Sequence, residues 1–261
     1  MADKLVLCYH AVSRHWPSPL AVTPERLEEQ ISLLAARGYQ ARTFFDTLTA
    51  SDDGRYVALT FDDAYRSVYE LALPVLRAAG TPATVFVPTA LVGTDEPMAW
   101  PGVDQWRATP HATELVGMSW DQLKELADAG WEIGSHSRFH SRLTELEDGA
   151  LAEELSSSRQ DCEIRMGRPC RTLAYPYGAV DERVVLAAHA AGYDAAGAPP
   201  LRLPGPRTMC WPRMGVYRRD DRRRFRAKVS PVVRRLWDSP AWGPITRVAG
   251  GRLGRGRAHV S

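Results

Sequence analysis

Two adjacent aspartates, Asp62 and Asp63, follow the short apolar run Val57-Ala58-Leu59-Thr60. Such a run, with turn signals on both sides, predicts a buried strand. The carboxylates then lie at the carboxyl end of that strand, which is where parallel α/β folds bind ligands. Because neighbouring carboxylates oppose each other's ionisation unless they share a cation, the pair predicts a metal.

Two histidines, His136 and His140, follow a second predicted strand at 131–136. Neutral imidazole binds Zn²⁺ well, and one carboxylate would complete a three-ligand site that stays open to water and a substrate oxygen. A metal in such a site lowers the pKa of water and polarises a carbonyl group. Neither pair alone identifies a metal site. Their joint placement at two strand ends favours one.

A repeated order of elements must position these side chains. Four predicted helices end at glycines that are each followed by a predicted strand: Gly38, Gly80, Gly130 and Gly192. Glycine readily adopts the left-handed conformation that ends a helix. The order helix, glycine, strand predicts a parallel α/β fold. Its number of strands favours a single distorted (β/α) barrel over an open nucleotide-binding sheet, and neither dinucleotide nor P-loop glycine motif is present.

The predicted elements begin with a strand at 5–10. The other strands are expected at 56–62, 82–87, 131–136, 171–175, 193–196 and 209–217. Helices are expected from the Thr23 cap to Gly38 and at 67–79, 119–129, 148–166 and 181–191. Pro74 should kink or split its helix, and Pro212 should break the last strand.

Composition is that of a soluble globular protein: 261 residues, 44% hydrophobic and 25% charged, with a net charge of +2. That balance gives no reason to expect nucleic acid as a partner. Residues 218–261 hold thirteen Arg or Lys against three Asp. We therefore predict a catalytic domain at 1–217 and a basic tail at 218–261, either solvated or in contact with an acidic partner such as a membrane surface.

The first residues, Met1 to Leu5, show no secretory pattern. No stretch approaches the roughly 20 apolar residues of a membrane span. The four cysteines form no Cys-x-x-Cys pair, which suits free thiols in a reducing compartment. We expect a cytoplasmic protein, with the tail as a means of peripheral contact at the inner membrane surface.

Three motifs together resemble one family. They are Thr60-Phe61-Asp62-Asp63, then Ser135-His136-Ser137-Arg138-Phe139-His140, then Ala174-Tyr175-Pro176-Tyr177-Gly178. Their order and spacing resemble the polysaccharide deacetylase family, the NodB-type homology domain of carbohydrate esterase family 4. The resemblance implies a distorted (β/α) barrel and a divalent metal, most often zinc, with cobalt, manganese or nickel as alternatives. It also implies removal of acetyl groups from N-acetylated sugars, or sometimes from O-acetylated ones.

Carried over by position, the resemblance makes Asp62 the general base. It assigns Asp63, His136 and His140 to the metal. Pro176 and Tyr177 match the residues at the oxyanion and substrate, where the Tyr177 backbone N–H would help to hold the oxyanion.

The third motif departs from the family at Ala174, where many members carry an arginine that orients the catalytic aspartate. Arg213, in Trp211-Pro212-Arg213-Met214, is either a substitute for that arginine or a surface residue.

A late Leu-x-x-His motif, whose histidine acts as general acid in many members, is absent after Gly178. Cys8-Tyr9-His10 resembles an early Tyr-His motif of the branch that includes poly-N-acetylglucosamine deacetylases, where circular permutation has moved the motif to the front. In that reading His10 protonates the leaving amine. The alternative is a strand-end histidine bound to backbone.

The expected activity is therefore metal-dependent deacetylation of an N-acetylated carbohydrate, including a sugar on a lipid or nucleotide carrier. Two alternatives stay open: an amidase that opens a small cyclic amide, and a non-catalytic carbohydrate-binding relative. The long insertion at 89–117, rich in Trp and Pro, is either a lid that faces the sugar or a segment anchored to the scaffold.

Overall fold

A computed structural model of the chain describes residues 3–50, 53–200 and 207–237. The strands are Asp3–Tyr9 (β1), Ala11–Val12 (β2), Ala21–Val22 (β3), Gln40–Arg42 (β4), Arg55–Phe61 (β5), Thr84–Val87 (β6), Glu132–Ser135 (β7), Thr172–Ala174 (β8), Ala195–Ala198 (β9), Trp211–Pro212 (β10) and Met214–Gly215 (β11). The α-helices are Pro24–Ala36 (α1), Phe44–Thr49 (α2), Leu73–Ala78 (α3), Trp120–Asp128 (α4), Asp148–Met166 (α5), Glu182–Ala190 (α6), Arg222–Lys228 (α7) and Pro231–Trp237 (α8).

The main sheet is parallel and runs in the order β10-β9-β8-β7-β6-β5-β1-β11, with β4 also paired to β5. Its two ends meet at Arg213. Trp211 and Pro212 pair with β9, whereas Met214 and Gly215 pair with β1. The chain thereby nearly closes the sheet, which confirms the predicted distorted barrel. The break expected at Pro212 in the strand at 209–217 is confirmed, since the stretch is divided between two neighbouring strands.

The strands alternate between the barrel interior and the helices outside, as their two-residue period requires. The interior cluster holds Val6, Phe44, Ala58, Phe86, Ala174 and Ala195. The intervening residues Leu5, Leu7, Val57 and Leu59 belong instead to the core that also contains Leu27 and Leu34 of α1. This alternation carries Cys8 on β1 and Thr60 on β5 to the interior side.

Helix ends follow the sequence prediction. Gly38, Gly80, Gly130 and Gly192 have φ of 76°, 59°, 86° and 92°, the left-handed region that glycine enters without strain. The helix expected at 67–79 is divided, because Pro74 has no N–H to donate to the preceding turn. The turn before it, Val68–Ala72, is π-helical and leads directly into α3.

The insertion at 89–117 is anchored to the scaffold. Met98, Trp100 and Val103 are buried in the same core as Leu123 of α4. Backbone bridges join Pro97 to Val116 and Tyr65 to Gly117. Its aromatic side chains therefore help to build the wall of the domain.

The basic segment does not begin where packed structure ends. Phe225 of α7 and Val229 lie in the main core, and Arg218 donates to the Trp16 carbonyl at 2.9 Å. The predicted boundary at 217 stays a prediction, and the described residues on both sides of it pack against each other. Residues 238–261 of the predicted tail lie outside the described residues. Within the described ranges, no helix combines the length and apolarity needed to cross a bilayer.

Candidate functional site

The two aspartates lie at the carboxyl end of β5, as expected. The Asp62 N–H donates to the Tyr9 carbonyl at 2.9 Å and extends the ladder beyond the strand. Asp63 and Ala64 then take positive φ values of 70° and 51°. Such a conformation costs a non-glycine residue about 1–3 kcal/mol and is characteristic of functional sites. It leaves both carboxylates buried, 4% and 2% exposed.

The histidines are held by the loop after β7. The His136 N–H donates to the Val87 carbonyl at 2.8 Å, which extends the β6–β7 ladder. Beyond it, the Phe139 N–H donates to Glu154 Oε1 on α5 at 2.7 Å. Ser137 and His140 have positive φ values of 62° and 57°. The loop is thus fixed in a conformation that an unconstrained chain would avoid.

The imidazoles converge on one oxygen. Asp63 Oδ1 lies 3.4 Å from His136 Nε2 and 3.3 Å from His140 Nε2. His136 Nδ1 lies 2.7 Å from the Ala174 carbonyl oxygen. That oxygen can only accept a hydrogen bond, so Nδ1 carries the hydrogen and donates. In the neutral ring Nε2 then presents a lone pair to the carboxylate. A proton or a cation must lie between them for the contact to be favourable.

A divalent metal fits these residues. One carboxylate and two imidazoles are a ligand set that Zn²⁺ accepts with open positions to spare, and their ligand atoms lie within 4.8 Å of one another. Burial lowers the pKa of His140, which favours its neutral, ligating form. Burial also acts on His136, but the charges of Asp62 and Asp63 outweigh it and raise that pKa. Proton and metal therefore compete at His136.

Asp62 stands beside this centre in a different environment. Arg213 Nη1 and Nη2 donate to its Oδ1 and Oδ2 at 2.6 and 2.8 Å, a bidentate pair. Burial by itself would raise the pKa of Asp62, but the charge of Arg213, followed by that of His136, lowers it to about 2. Asp62 is therefore ionised at neutral pH and is held in one orientation.

Gly197 on β9 makes room for Arg213. A Cβ atom on residue 197 would lie 2.5 Å from both Cδ and Nε of the arginine, closer than side-chain atoms approach. Because residue 197 has no side chain, the buried arginine stem crosses β9 and reaches Asp62.

Cys8 and His10 complete the surroundings of Asp62. Cys8 Sγ donates to Asp62 Oδ2 at 3.3 Å. A ring nitrogen of His10 lies within 4.8 Å of both Cys8 Sγ and a carboxylate oxygen of Asp62. In the described part of the chain, His10 Nδ1 is buried without a hydrogen-bond partner. That nitrogen is therefore not engaged by backbone.

Aromatic rings enclose the second histidine. Trp100 from the insertion stacks on His140, with ring centroids 4.2 Å apart and planes at 27°. The Tyr177 ring meets His140 edge-on at 4.6 Å, and Arg142 lies over the Tyr177 ring at 4.2 Å. Tyr177 has a positive φ of 57° in the turn that begins at Pro176. These groups form the wall of the site.

The sequence model of the polysaccharide deacetylase family matches residues 49–196, more than half of the chain. The chain belongs to this family. YxkH of Bacillus subtilis, provisionally named a polysaccharide deacetylase, is 28% identical over 194 residues, which cover 72% of this chain and 62% of that protein. A poly-β-1,6-N-acetyl-D-glucosamine N-deacetylase of Staphylococcus aureus is 25% identical over 175 residues, which cover 62% of this chain and 55% of that protein.

The family fold also appears in solved structures. The Streptococcus pyogenes deacetylase PplD, in complex with acetate, aligns with a TM-score of 0.72 over 87% of this chain and 98% of its own, at 19% identity. This likeness supports the deacetylase barrel as the fold. The chain spans only 55–62% of the length of the two curated relatives described above.

The residues of the three deacetylase-family motifs lie together in the structure. The structure brings Asp63, His136 and His140 together and places Asp62 beside them; Arg213 and His10 also reach Asp62, and Pro176 and Tyr177 form the adjoining turn. Sequence reasoning missed three contacts at the site. These are the thiol of Cys8 on Asp62, the indole of Trp100 on His140, and the carboxylate of Glu154 on the histidine loop.

Proposed function

We propose that this chain is a metal-dependent hydrolase that removes the acetyl group from an N-acetylated glycan. The observation that carries the proposal is the convergence of His136 and His140 on Asp63, with a separate, arginine-bound aspartate beside them. Family membership supplies the reaction class. The presence of all three ligand residues argues against a binding protein that has lost its chemistry.

Asp63, His136 and His140 would hold the ion. A divalent cation there would polarise the acetamide carbonyl and lower the pKa of the attacking water. Asp62 accepts a proton from that water, and Arg213 keeps the carboxylate ionised and aimed. His10, with a ring nitrogen within 4.8 Å of a carboxylate oxygen of Asp62, donates a proton to the leaving amine. The Tyr177 N–H, in the turn that begins at Pro176, is proposed as the donor to the developing oxyanion.

The substrate we propose is a polymer of N-acetylated sugar. This follows the named activity of the Staphylococcus aureus relative, carried to this chain as a hypothesis. A sugar on a lipid or nucleotide carrier, and contact with a membrane, gain no support from the comparisons. Zinc is the metal we expect, because two imidazoles and one carboxylate suit it; cobalt, manganese and nickel would also fit.

Metal content and acetate release test the proposal together. We expect about one equivalent of zinc per chain, and release of acetate from an N-acetylglucosamine polymer. His136→Ala should lose both. Asp62→Asn should retain the metal and lose turnover. His10→Ala should retain the metal and slow turnover by about 10²-fold or more, the scale of general acid assistance.

His189→Ala is the matched control, because His189 lies on α6, away from the described cluster. A wild-type protein that takes up no zinc, cobalt or manganese after reconstitution would contradict the proposal. A His10→Ala variant with full turnover would remove His10 from the mechanism.

A further inference from the structure

A second set of metal-ligating atoms lies beside the proposed metal centre. Cys8 Sγ, a ring nitrogen of His10 and a carboxylate oxygen of Asp62 lie within 4.8 Å of one another. We propose that these three residues form a second, inhibitory site for a thiophilic divalent cation such as Zn²⁺ or Cd²⁺. The inhibitory effect rests on the proposed function, whereas the binding itself does not.

The strand geometry builds the cluster. Cys8 and His10 are two residues apart, so their side chains lie on the same face of the chain. That face is the barrel interior, where Asp62 extends the neighbouring β5. Cys8 Sγ already lies 3.3 Å from Asp62 Oδ2. A cation would need only small movements to replace the thiol proton between them.

His10 supplies an independent reason to expect a ligand. Its Nδ1 is buried and makes no hydrogen bond with any residue that the structure describes. A buried polar atom without a partner is unfavourable, because it has lost water and gained no hydrogen bond. The His10 ring therefore reaches the cluster without a hydrogen bond at Nδ1 that would hold it elsewhere.

The donor types select the class of ion. Thiolate, imidazole and carboxylate together suit Zn²⁺ and its softer relatives, and sulfur disfavours Mg²⁺ and Ca²⁺. Binding requires the thiolate, so the Cys8 proton passes to solvent as the cation enters. The two negative charges then neutralise the ion.

The positive charge of Arg213 makes the second site the weaker of the two. Arg213 is bound to Asp62 through both nitrogens, and its positive charge opposes a second cation. A metal already held by Asp63 opposes it further. We therefore expect the Cys8 site to be the weaker one and to fill only when metal is in excess. Once filled, it would occupy both the proposed base and the proposed acid.

Cadmium distinguishes the sites, because only the second contains sulfur. The full-length protein is first loaded with one equivalent of Zn²⁺ and then titrated with Cd²⁺. We expect sulfur-to-cadmium charge-transfer absorption in the ultraviolet that saturates at one cadmium per chain. Exchange of cadmium into the Asp63 centre would not produce this band.

Cys8→Ser should abolish the band, and His10→Asn should weaken cadmium binding by more than about tenfold, since even changes outside the ligand shell can do so. Cys210→Ser, which removes a thiol outside the cluster, should leave the band intact. Circular dichroism verifies that each variant is folded. Excess Cd²⁺ or Zn²⁺ should inhibit acetate release, with each variant normalised to its own rate without added metal.

Absence of the band in the wild type, or its persistence in folded Cys8→Ser, would overturn the second site. The binding result is independent of turnover. Thus a protein that shows the band but releases no acetate would refute the proposed function and leave the second site standing.

Discussion

Asp62 and Asp63 are neighbours in sequence, but their different partners give them different properties. Asp62 is held by the guanidinium of Arg213 through both oxygens, whereas Asp63 directs one oxygen at two imidazoles. Pairs of titratable groups in different environments are how a single fold separates chemical roles. Here one arginine, Arg213, gives Asp62 a role different from that of Asp63. It pairs with Asp62 although position 174, where many family members carry the orienting arginine, is an alanine.

Replacing Arg213 with methionine should change the protonation of Asp62. With the guanidinium gone, the pKa of Asp62 should rise from about 2, because burial raises it and the strongest opposing charge is lost. A base must be deprotonated to act, so the acid limb of kcat/KM should move to higher pH. The measurement is a pH–rate profile of acetate release.

Arg171→Met is the control for that profile, because its ion pair with Asp194 is exposed and remote from the site. Loss of the buried pair should also destabilise the fold by about 3–5 kcal/mol, so the profile is recorded below the unfolding temperature. An acid limb that stays at the wild-type pH would show that Arg213 does not set the ionisation of Asp62.

At the scale of elements, the proposed metal ligands depend on the helix packed behind their loop. Glu154 of α5 is buried and accepts the Phe139 N–H beside His140. Glu154→Ala should leave that donor unpaired and loosen His140. We expect metal affinity to fall about 10–100-fold, the effect of losing an outer partner of a metal ligand.

Competition with a chromophoric chelator measures that affinity. Glu154→Gln should bind nearly as tightly as the wild type, since its amide oxygen still accepts. Glu153→Ala removes the neighbouring, largely exposed carboxylate and should have no effect. Equal losses in the Ala and Gln variants would mean that charge at 154, and not the hydrogen bond, supports the loop.

A strand also determines the position of Arg213. Gly197→Ala on β9 would place a Cβ atom 2.5 Å from the arginine stem. Overpacking of this kind lowers the free energy of unfolding by about 1–3 kcal/mol. Displacement of the arginine should also move the acid limb of kcat/KM to higher pH, as Arg213→Met does. Urea unfolding measures the first effect. Gly149→Ala, whose Cβ would meet no atom within 4 Å, should be neutral or slightly stabilising.

The sequence predicts some of the site residues and leaves others open. Asp62, Asp63, His136 and His140 belong to short motifs at strand ends, so the local sequence pattern is enough to predict them as site residues. Their grouping depends on the barrel, which the helix–glycine–strand order predicted and the fold confirmed. Arg213 lies 151 positions from its partner, and sequence left it open between a buried and a surface residue.

Other contacts had no local signal at all. Trp100 reaches His140 only because the insertion folds back onto the core. Glu154 resembles any other acidic residue on a polar helix until the loop packs against it. Long-range packing decides such contacts, and a single sequence does not encode them in any recognisable motif.

At the scale of the whole molecule, the stretch that closes the barrel also leads directly into the basic segment. The chain pairs with both sheet edges around Arg213 and continues into α7 and α8, which return to the first strand. Arg234 of α8 forms an ion pair with Asp3 at the start of β1. The two ends of the described chain thus lie together, and we expect residues after 217 to stabilise the barrel.

Phe225 tests whether that segment stabilises the domain. Its ring is buried in the main core, so Phe225→Ala should lower the free energy of unfolding by about 3–5 kcal/mol, the transfer and cavity cost of a buried ring. Val232→Ala on the next helix is the matched control, since Val232 is 67% exposed and should change stability by less than about 0.5 kcal/mol. Urea denaturation at fixed metal content measures both, because bound metal adds its own stabilisation.

If Phe225→Ala proved as mild as the control, the basic helices would be an attachment to a barrel that folds without them. A large loss would make them part of its core, and would mean that shortening the chain to 217 unfolds the catalytic site along with them.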